Sequence, residues 1–148
     1  MTLDVVNILR VVEALPDGFD VICAEAAAEG VRNMAMLARE FGAPDDPFTE
    51  PGALFAAVVD GDLAGVGGVT LEAGLAEPAM RMRRLYVRPG FRRAGVARAL
   101  AGAMMQQGFQ SAPLLTLNAA ASPAAPPFWE AMGFEPVDWP RATHALRL

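Results

Sequence analysis

The chain has 148 residues, with 12 basic and 17 acidic side chains and a formal net charge of −5. A hydrophobic fraction of 53% and a charged fraction of 20% exclude a disordered chain, and this length allows a buried core without disulfides or metals. We therefore expect one globular domain over residues 1–148. One cysteine and one histidine are too few ligands for a zinc site, so we expect no metal.

The basic residues are concentrated in one segment. All twelve are arginines, and seven of them lie within residues 81–98, which contain no acidic residue. Outside that segment the chain has five arginines and 17 acidic residues, a net charge of −12. The cationic segment is therefore where we expect an anion to bind.

The first third of the chain predicts a strand and two helices. Residues 5–12 are mostly apolar and β-branched, which favours a strand. Over residues 19–41 the apolar positions recur at helical spacing, and Gly30 divides this stretch into two helices. The prolines, glycine and acidic residues of residues 44–52 predict an exposed loop.

The next segment predicts a β-hairpin. Residues 54–59 and 63–71 are apolar strands, and Asp60-Gly61 between them favours a two-residue type I′ turn. Three glycines in the second strand indicate a bulge or a close backbone approach; they are Gly65, Gly67 and Gly68.

The remaining elements alternate between strands and helices. They are a strand at residues 80–87, a helix at 96–108, a strand at 114–118, a short helix around 128–132 and one or two strands within 134–148. Pro126 and Pro127 fit only the first turn of a helix, so we place the start of the short helix near Ala125. The order of the elements predicts an α/β or α+β fold with a mixed sheet.

Residues 83–100 pass from a strand, through a loop rich in arginine and glycine, into a helix. A helix N-terminus has unpaired N–H groups and the positive end of the helix dipole, so such a loop can bind phosphate. Gly95 lets the backbone approach a ligand closely with a positive φ, and Ala94 and Ala97 leave space beside it. Three arginines add electrostatic attraction: Arg92, Arg93 and Arg98. We infer a pyrophosphate or a similar polyanion as the ligand.

The arginine-rich segment also fits a purely structural role. Charge runs are usually solvated, so the arginines could simply line a strand edge and a turn. A P-loop is excluded because the chain has no lysine, and a dinucleotide fingerprint is excluded because only Gly95 is present. The net charge of −5 and the few aromatic residues among the arginines argue against a nucleic-acid-binding protein.

Two motifs resemble one known family. Arg92-Arg93-Ala94-Gly95-Val96-Ala97 resembles the Arg/Gln-x-x-Gly-x-Gly/Ala signature of the GNAT superfamily of N-acetyltransferases, and residues 84–89 resemble the strand that often precedes it. Downstream, residues 128–134 resemble the family's Phe-Tyr-Glu-x-Leu-Gly-Phe block. The resemblance covers nearly the whole chain. It implies a mixed, mostly antiparallel sheet of six or seven strands flanked by helices, with the fourth and fifth strands splayed apart.

The resemblance also implies a site for acetyl-CoA as co-substrate. By family analogy, the backbone N–H groups of residues 93–98 bind the pyrophosphate, and the main chain of residues 85–87 pairs with the pantetheine arm between the splayed strands. Asn118 would bond the pantetheine amides, or it would only cap a loop. The expected binding residues are Leu85, Tyr86, Val87, Arg92, Arg93, Ala94, Gly95, Val96, Ala97, Arg98 and Asn118.

The catalytic groups are less clearly marked. Trp129 stands where many members have a tyrosine that protonates the departing thiolate, and an indole N–H cannot act as such an acid. We expect Trp129 to be a packing residue. Glu72, Glu77 and His144 are the candidate bases that take the proton of the acceptor amine. The alternatives are a solvated Glu72 and a histidine that merely lies on an edge strand.

The implied activity is transfer of an acetyl group from acetyl-CoA to a primary amine of a small molecule or peptide, by direct transfer. The alternative is an acyl-CoA-binding or regulatory module with little or no turnover, which Trp129 favours. The acidity of the rest of the chain favours a cationic acceptor. We expect a cytoplasmic protein that does not bind a membrane, because no signal peptide or uninterrupted apolar span is visible. We also expect a monomer or homodimer that does not bind nucleic acid.

Overall fold

The structure, a computed structural model, describes residues 5–148. Seven strands form one sheet: β1 Val6–Val11, β2 Ala53–Val59, β3 Asp62–Glu72, β4 Ala79–Val87, β5 Leu114–Leu117, β6 Glu135–Trp139 and β7 Ala142–Arg147. Their spatial order is β1-β2-β3-β4-β5-β7-β6. The pair β4–β5 is parallel, and the other neighbouring pairs are antiparallel. The prediction of a mixed, mostly antiparallel sheet of six or seven strands is confirmed, while residues 1–4 lie outside the described part.

The helices follow the sequence pattern closely. They are α1 Phe19–Ala28, α2 Asn33–Glu40, α3 Val96–Ser111 and α4 Ala125–Ala131, with a single 3-10 turn at Pro89–Phe91. Gly30 separates α1 from α2, and α4 begins at Ala125 with two prolines in its first turn, as predicted. The predicted end of α3 at Gly108 is wrong, since the helix continues to Ser111. A Cβ at Gly108 would lie 2.6 Å from a methyl of Leu115, so this glycine allows α3 to approach the sheet.

The glycines of β3 mark both bulges and close approaches. Asp60 and Gly61 have φ values of 50° and 82°, which a type I′ turn requires at both positions. The register of β3 shifts against β2 and again against β4. A Cβ on Gly65 would lie 2.7 Å from the carbonyl oxygen of Tyr86, and one on Gly68 would collide with the ring of Phe48. Only glycine fits these two positions without displacing a neighbour.

Different helices cover the two faces of the sheet. On the α3/α4 face, Leu100 and Met104 of α3 pack with Met82 and Leu117 in one buried cluster. On the α1/α2 face, a second cluster joins the two helices to the sheet. No helix among residues 5–148 has the length and apolar character that crossing a membrane requires.

A bulge in β4 lies next to an opening in the sheet. Between two paired positions β4 has Arg84 and Leu85 where β3 has only Gly67, and Arg84 takes a φ of 59°. β4 pairs with β5 only through Met80–Leu115 and Arg81–Thr116. The six residues from Met82 to Val87 therefore have no strand partner on that side within the described residues. The predicted splaying of the fourth and fifth strands is confirmed.

Candidate functional site

The V-shaped opening between β4 and β5 narrows to a vertex at the last paired residues, Arg81 and Thr116. From that vertex β4 runs along one side of the opening and leads, through the 3-10 turn and residues 92–95, to the first turn of α3. The opening thus has a closed end between two paired strands and a far end beside a helix N-terminus.

The backbone at the far end has six free donors in a row. The N–H groups of residues 93–98 have no backbone acceptor within residues 5–148, and the first bond of α3 runs from the N–H of Ala99 to the carbonyl of Gly95, at 3.0 Å. Arg93 and Gly95 have φ values of 63° and 81°, the left-handed conformation found in backbone anion nests. A Cβ at Gly95 would meet no atom within 4 Å, so the space above it is open. This loop fits an anion such as a pyrophosphate.

Five of the seven arginines of the cationic segment fall into two groups. Three of them bind glutamates in or directly after α1 and α2: Arg84 binds Glu40, Arg88 binds Glu25 and Arg92 binds Glu29. These pairs tie the two helices to β4 and to the loop that follows it. The side chains of Arg93 and Arg98, in contrast, are exposed at the start of α3.

The side chain of Arg92 is bonded to the protein itself. Its guanidinium holds Glu29 through two N–H···O bonds of 2.8 and 2.6 Å, and its Nε donates to the carbonyl oxygen of Val87 at 3.0 Å. Its backbone N–H donates to Pro89. These bonds hold the end of α1, and the attraction of phosphate by Arg92 stays a prediction.

Glu29 is the centre of this contact. It accepts hydrogen bonds from Arg92 and from the phenol of Tyr86, whose ring also lies 5.5 Å from the Arg92 guanidinium carbon. The bonds from Arg92 and Tyr86 lower the pKa of Glu29 to about 2. Burial, together with the carboxylate, raises the pKa of Tyr86 to about 12. The predicted pantetheine residue Tyr86 is therefore a buried support for the loop through its side chain.

Side chains already occupy two carbonyls of the predicted pantetheine segment. Asn33 Nδ2 donates to the Leu85 carbonyl at 3.3 Å, and the Val87 carbonyl accepts from Arg92. The Oδ1 atom of Asn33 is buried without a hydrogen-bond partner among the described residues. No local sequence signal marks Asn33, because it lies 52 residues from Leu85 in the chain.

Asn118 lies just beyond β5, and its side chain caps the following turn. Its Oδ1 accepts the N–H of Ala120 at 2.9 Å, and the side chain is exposed. Asn118 thus has the loop-capping arrangement that the sequence left open as the alternative to a pantetheine contact. Ser122 makes a similar turn, since its Oγ accepts the N–H of Ala124 at 3.2 Å ahead of α4.

The vertex has one apolar and one polar side. On the α3/α4 face, Met82 and Leu117 are buried in the main core. On the α1/α2 face, Thr70, Arg81 and Thr116 lie side by side across three strands. The hydroxyls of both threonines are buried and lack a hydrogen-bond partner within residues 5–148. Sequence patterns do not reveal this row, because strand pairing alone aligns residues so distant in the chain.

The sequence model of the acetyltransferase (GNAT) domain matches residues 43–148. The chain belongs to the GNAT acetyltransferase family. Its fold is that of a candidate acetyltransferase from Exiguobacterium sp. 255-15, with 26% identity, a TM-score of 0.85 and coverage of 96% of this chain and 93% of that one. A candidate GNAT acetyltransferase from Desulfovibrio desulfuricans shares 18% identity, a TM-score of 0.70 and coverage of 97% and 99%. A GNAT acetyltransferase from Elizabethkingia anophelis with acetyl-CoA bound has 13% sequence identity and a TM-score of 0.64, and the match covers 97% of this chain and 98% of that one. No curated protein matches significantly.

In this GNAT domain Trp129 is a core residue. It is buried, and its ring makes edge-to-face contacts with Phe128 and Phe134 at centroid distances of 5.1 and 5.3 Å. These contacts agree with the packing role expected of it.

The alternative of a solvated Glu72 is wrong. Its side chain is 3% exposed, and it accepts the N–H of Gly74 at 2.8 Å. Arg81 of β4 and Arg141 of the β6–β7 turn reach it at 3.5 and 3.9 Å, which explains how a carboxylate is buried here. The third candidate base, Glu77, is engaged by Arg147 through two bonds of 2.8 and 2.9 Å, and those bonds lower its pKa.

His144 is also buried, and the description of it as an edge-strand residue is wrong, because β7 lies between β5 and β6. Its Nε2 lies 2.8 Å from Glu130 of α4, and its Nδ1 lies 2.9 Å from the hydroxyl of Thr143. His144 pairs with Leu117 and so shares the α3/α4 face with it. Glu72 and His144 therefore lie on opposite faces of the sheet.

Proposed function

We propose that this GNAT protein transfers the acetyl group of acetyl-CoA to a primary amine by direct attack in a ternary complex. The observation that carries the proposal is the opening between β4 and β5, which leads from a polar vertex to a loop with six free N–H groups. An elongated molecule with a pyrophosphate near its middle and a thioester at its end matches both ends of this opening.

Each part of acetyl-CoA has a counterpart. Residues 93–98 would bind the pyrophosphate with their backbone N–H groups, and the exposed Arg93 and Arg98 would add charge. The unpaired edge of β4 from Met82 to Val87 would pair with the pantetheine arm as a further strand does. The thioester would then lie near the vertex.

The acceptor would approach from the α1/α2 face. At the vertex that side presents Thr70, Arg81 and Thr116, whereas the opposite side is an apolar core. A neutral amine nitrogen attacks the thioester carbon, the C–N bond forms, the C–S bond breaks and CoA leaves as a thiolate. Glu77 is bound by Arg147, and of the other two candidate bases only Glu72 is on the acceptor's side, so we assign the removal of the amine proton to Glu72, through water.

No protein acid is required for the leaving group. A thiol has a pKa of about 8.5, so its thiolate leaves readily and water can protonate it. Trp129 could not supply that proton in any case.

Release of free thiol from acetyl-CoA tests the activity. We expect release that depends on an added amine, and we expect Glu72→Gln to lower kcat at saturating amine while His144→Gln does not. Trp129 motivates the alternative, a GNAT-fold module that binds acyl-CoA without turnover. Stabilisation by acetyl-CoA with no thiol release from any amine, peptide or amino acid would establish that alternative.

A further inference from the structure

Four charged groups surround the vertex on the α1/α2 face. We call Arg81, Arg83, Arg141 and Glu72 the vertex cluster. Arg81 and Arg83 alternate along β4 and point to the same face, Glu72 ends β3, and Arg141 reaches over from the β6–β7 turn. Three cations therefore surround the place where the acceptor would meet the thioester, and two of them, Arg81 and Arg141, approach Glu72.

The bonding of Arg81 and Arg141 is incomplete. Both approach Glu72, but at 3.5 and 3.9 Å, which is beyond hydrogen-bond distance. Neither guanidinium makes a hydrogen bond within residues 5–148, although the Arg81 side chain is only 21% exposed. A guanidinium has five N–H donors, so both retain donors for a ligand.

Arg83 has no carboxylate of its own. Its nearest acidic atom is an oxygen of Glu40 at 4.0 Å, and Glu40 is already held by Arg84 through two bonds of 2.9 Å. Burial, followed by repulsion from Arg84, lowers the pKa of Arg83. A half-buried cation in this position is stabilised by an additional anion.

Two further groups lack partners at the same place. The hydroxyls of Thr70 and Thr116, which flank Arg81 in the row, are buried and unbonded among the described residues. Unpaired buried hydroxyls are uncommon, and an ordered water or a ligand atom can satisfy them. The two threonine hydroxyls are an observation independent of the charged groups, and they lie at the same vertex.

A shallow depression lies close in the chain to Arg141. It has a volume of about 380 Å³, and its lining residues are Leu75, Ala76, Glu77, Trp139 and Pro140, the last of which directly precedes Arg141. Leu75 and Trp139 pack against the small cluster that contains Ala79 of β4, on the α1/α2 face of the sheet.

We infer that the acceptor carries a carboxylate close to its primary amine, as an amino acid does, and that Arg83 and Arg81 bind this carboxylate while Glu72 faces the amine. The inference rests on the proposed function. It replaces the cationic acceptor expected from the net charge of the chain, because at short range the three arginines of the cluster outweigh its single carboxylate.

Matched acceptors provide the test. Thiol release is measured with the twenty amino acids and with their amides, which keep the amine and remove the negative charge. For the best acceptor we expect a kcat/KM about 10-fold to 100-fold higher for the acid than for its amide, the value of one or two charge-assisted hydrogen bonds. Arg83→Gln should raise KM for the acid and bring the acid-to-amide ratio of kcat/KM close to one, with KM for acetyl-CoA unchanged. Arg83→Lys should restore part of the preference.

Arg32→Gln is the matched control, since Arg32 is exposed immediately before α2 and should leave the ratio unchanged. A second measurement does not need turnover: calorimetry of N-acetylglycine and N-acetylglycinamide with the protein in saturating CoA. We expect tighter binding of the acid, lost in Arg83→Gln.

Turnover of amides or diamines in preference to acids, or a ratio that Arg83→Gln does not change, would overturn the inference and leave the proposed function intact. No thiol release from any amine would overturn the proposed function, and the calorimetry would still decide the anion site. Equal binding of N-acetylglycine and N-acetylglycinamide in the calorimetry would overturn the anion site.

Discussion

Substitution of Gly95 by valine tests the placement of the pyrophosphate most directly. Gly95 has a φ of 81° and precedes the first turn of α3, and a Cβ there would project into open space. Valine in this conformation costs about 1–3 kcal/mol of strain. At roughly 2–4 °C per kcal/mol for a domain of this size, the midpoint of thermal unfolding should fall by roughly 2–12 °C. The valine methyl groups would also fill the space above the free N–H groups.

The strain is separable from the loss of binding. Gly42 has the same φ of 81° and the same open surroundings, in the loop after α2, so Gly42→Val carries a similar strain away from the α3 N-terminus. Acetyl-CoA at 100 times its Kd should stabilise the wild type and Gly42→Val by about 2.7 kcal/mol, or roughly 5–11 °C in a thermal-shift assay. Gly95→Val should show no such shift. A full ligand-induced shift in Gly95→Val would refute the assignment of residues 93–98 to the pyrophosphate.

Three further predictions concern the scaffold. Because the pKa of Glu29 is lowered, its contribution to the free energy of unfolding is complete above a pH of about 4.5 and is lost as the pH falls toward 2. Denaturant titrations at decreasing pH should show this loss in the wild type and a smaller loss in Glu29→Gln. Gly65→Ala should lower the free energy of unfolding by about 3 kcal/mol, because the added Cβ would meet a backbone oxygen at 2.7 Å. Gly102→Ala lies in open space on α3, and in the same titrations it should raise the free energy of unfolding by about 0.5–1 kcal/mol. Trp129→Phe should leave the pH dependence of kcat unchanged, since the indole only packs against its neighbours; a new pH-dependent limb would contradict a purely structural role.

The arginine segment shows how far sequence and structure each reach. Seven arginines within residues 81–98 indicated an anion site, but not which of them is free. Arg84, Arg88 and Arg92 turned out to bind glutamates 44 to 63 residues away in the chain. A pairing at that separation leaves no periodic signal in the sequence, since only the packing of α1 and α2 on β4 brings the partners together.

The sequence by itself determined the order of the elements, the type I′ turn at Asp60-Gly61, the glycine-rich irregular β3 and the loop that enters α3 at Gly95. These features depend on side-chain periodicity and on glycine φ values, which are local properties of the chain. The tertiary structure decided that Glu72 and His144 are buried on opposite faces and that Thr70, Arg81 and Thr116 form one row. Burial and row membership depend on strand register between distant segments, and that register is fixed only when the whole sheet assembles.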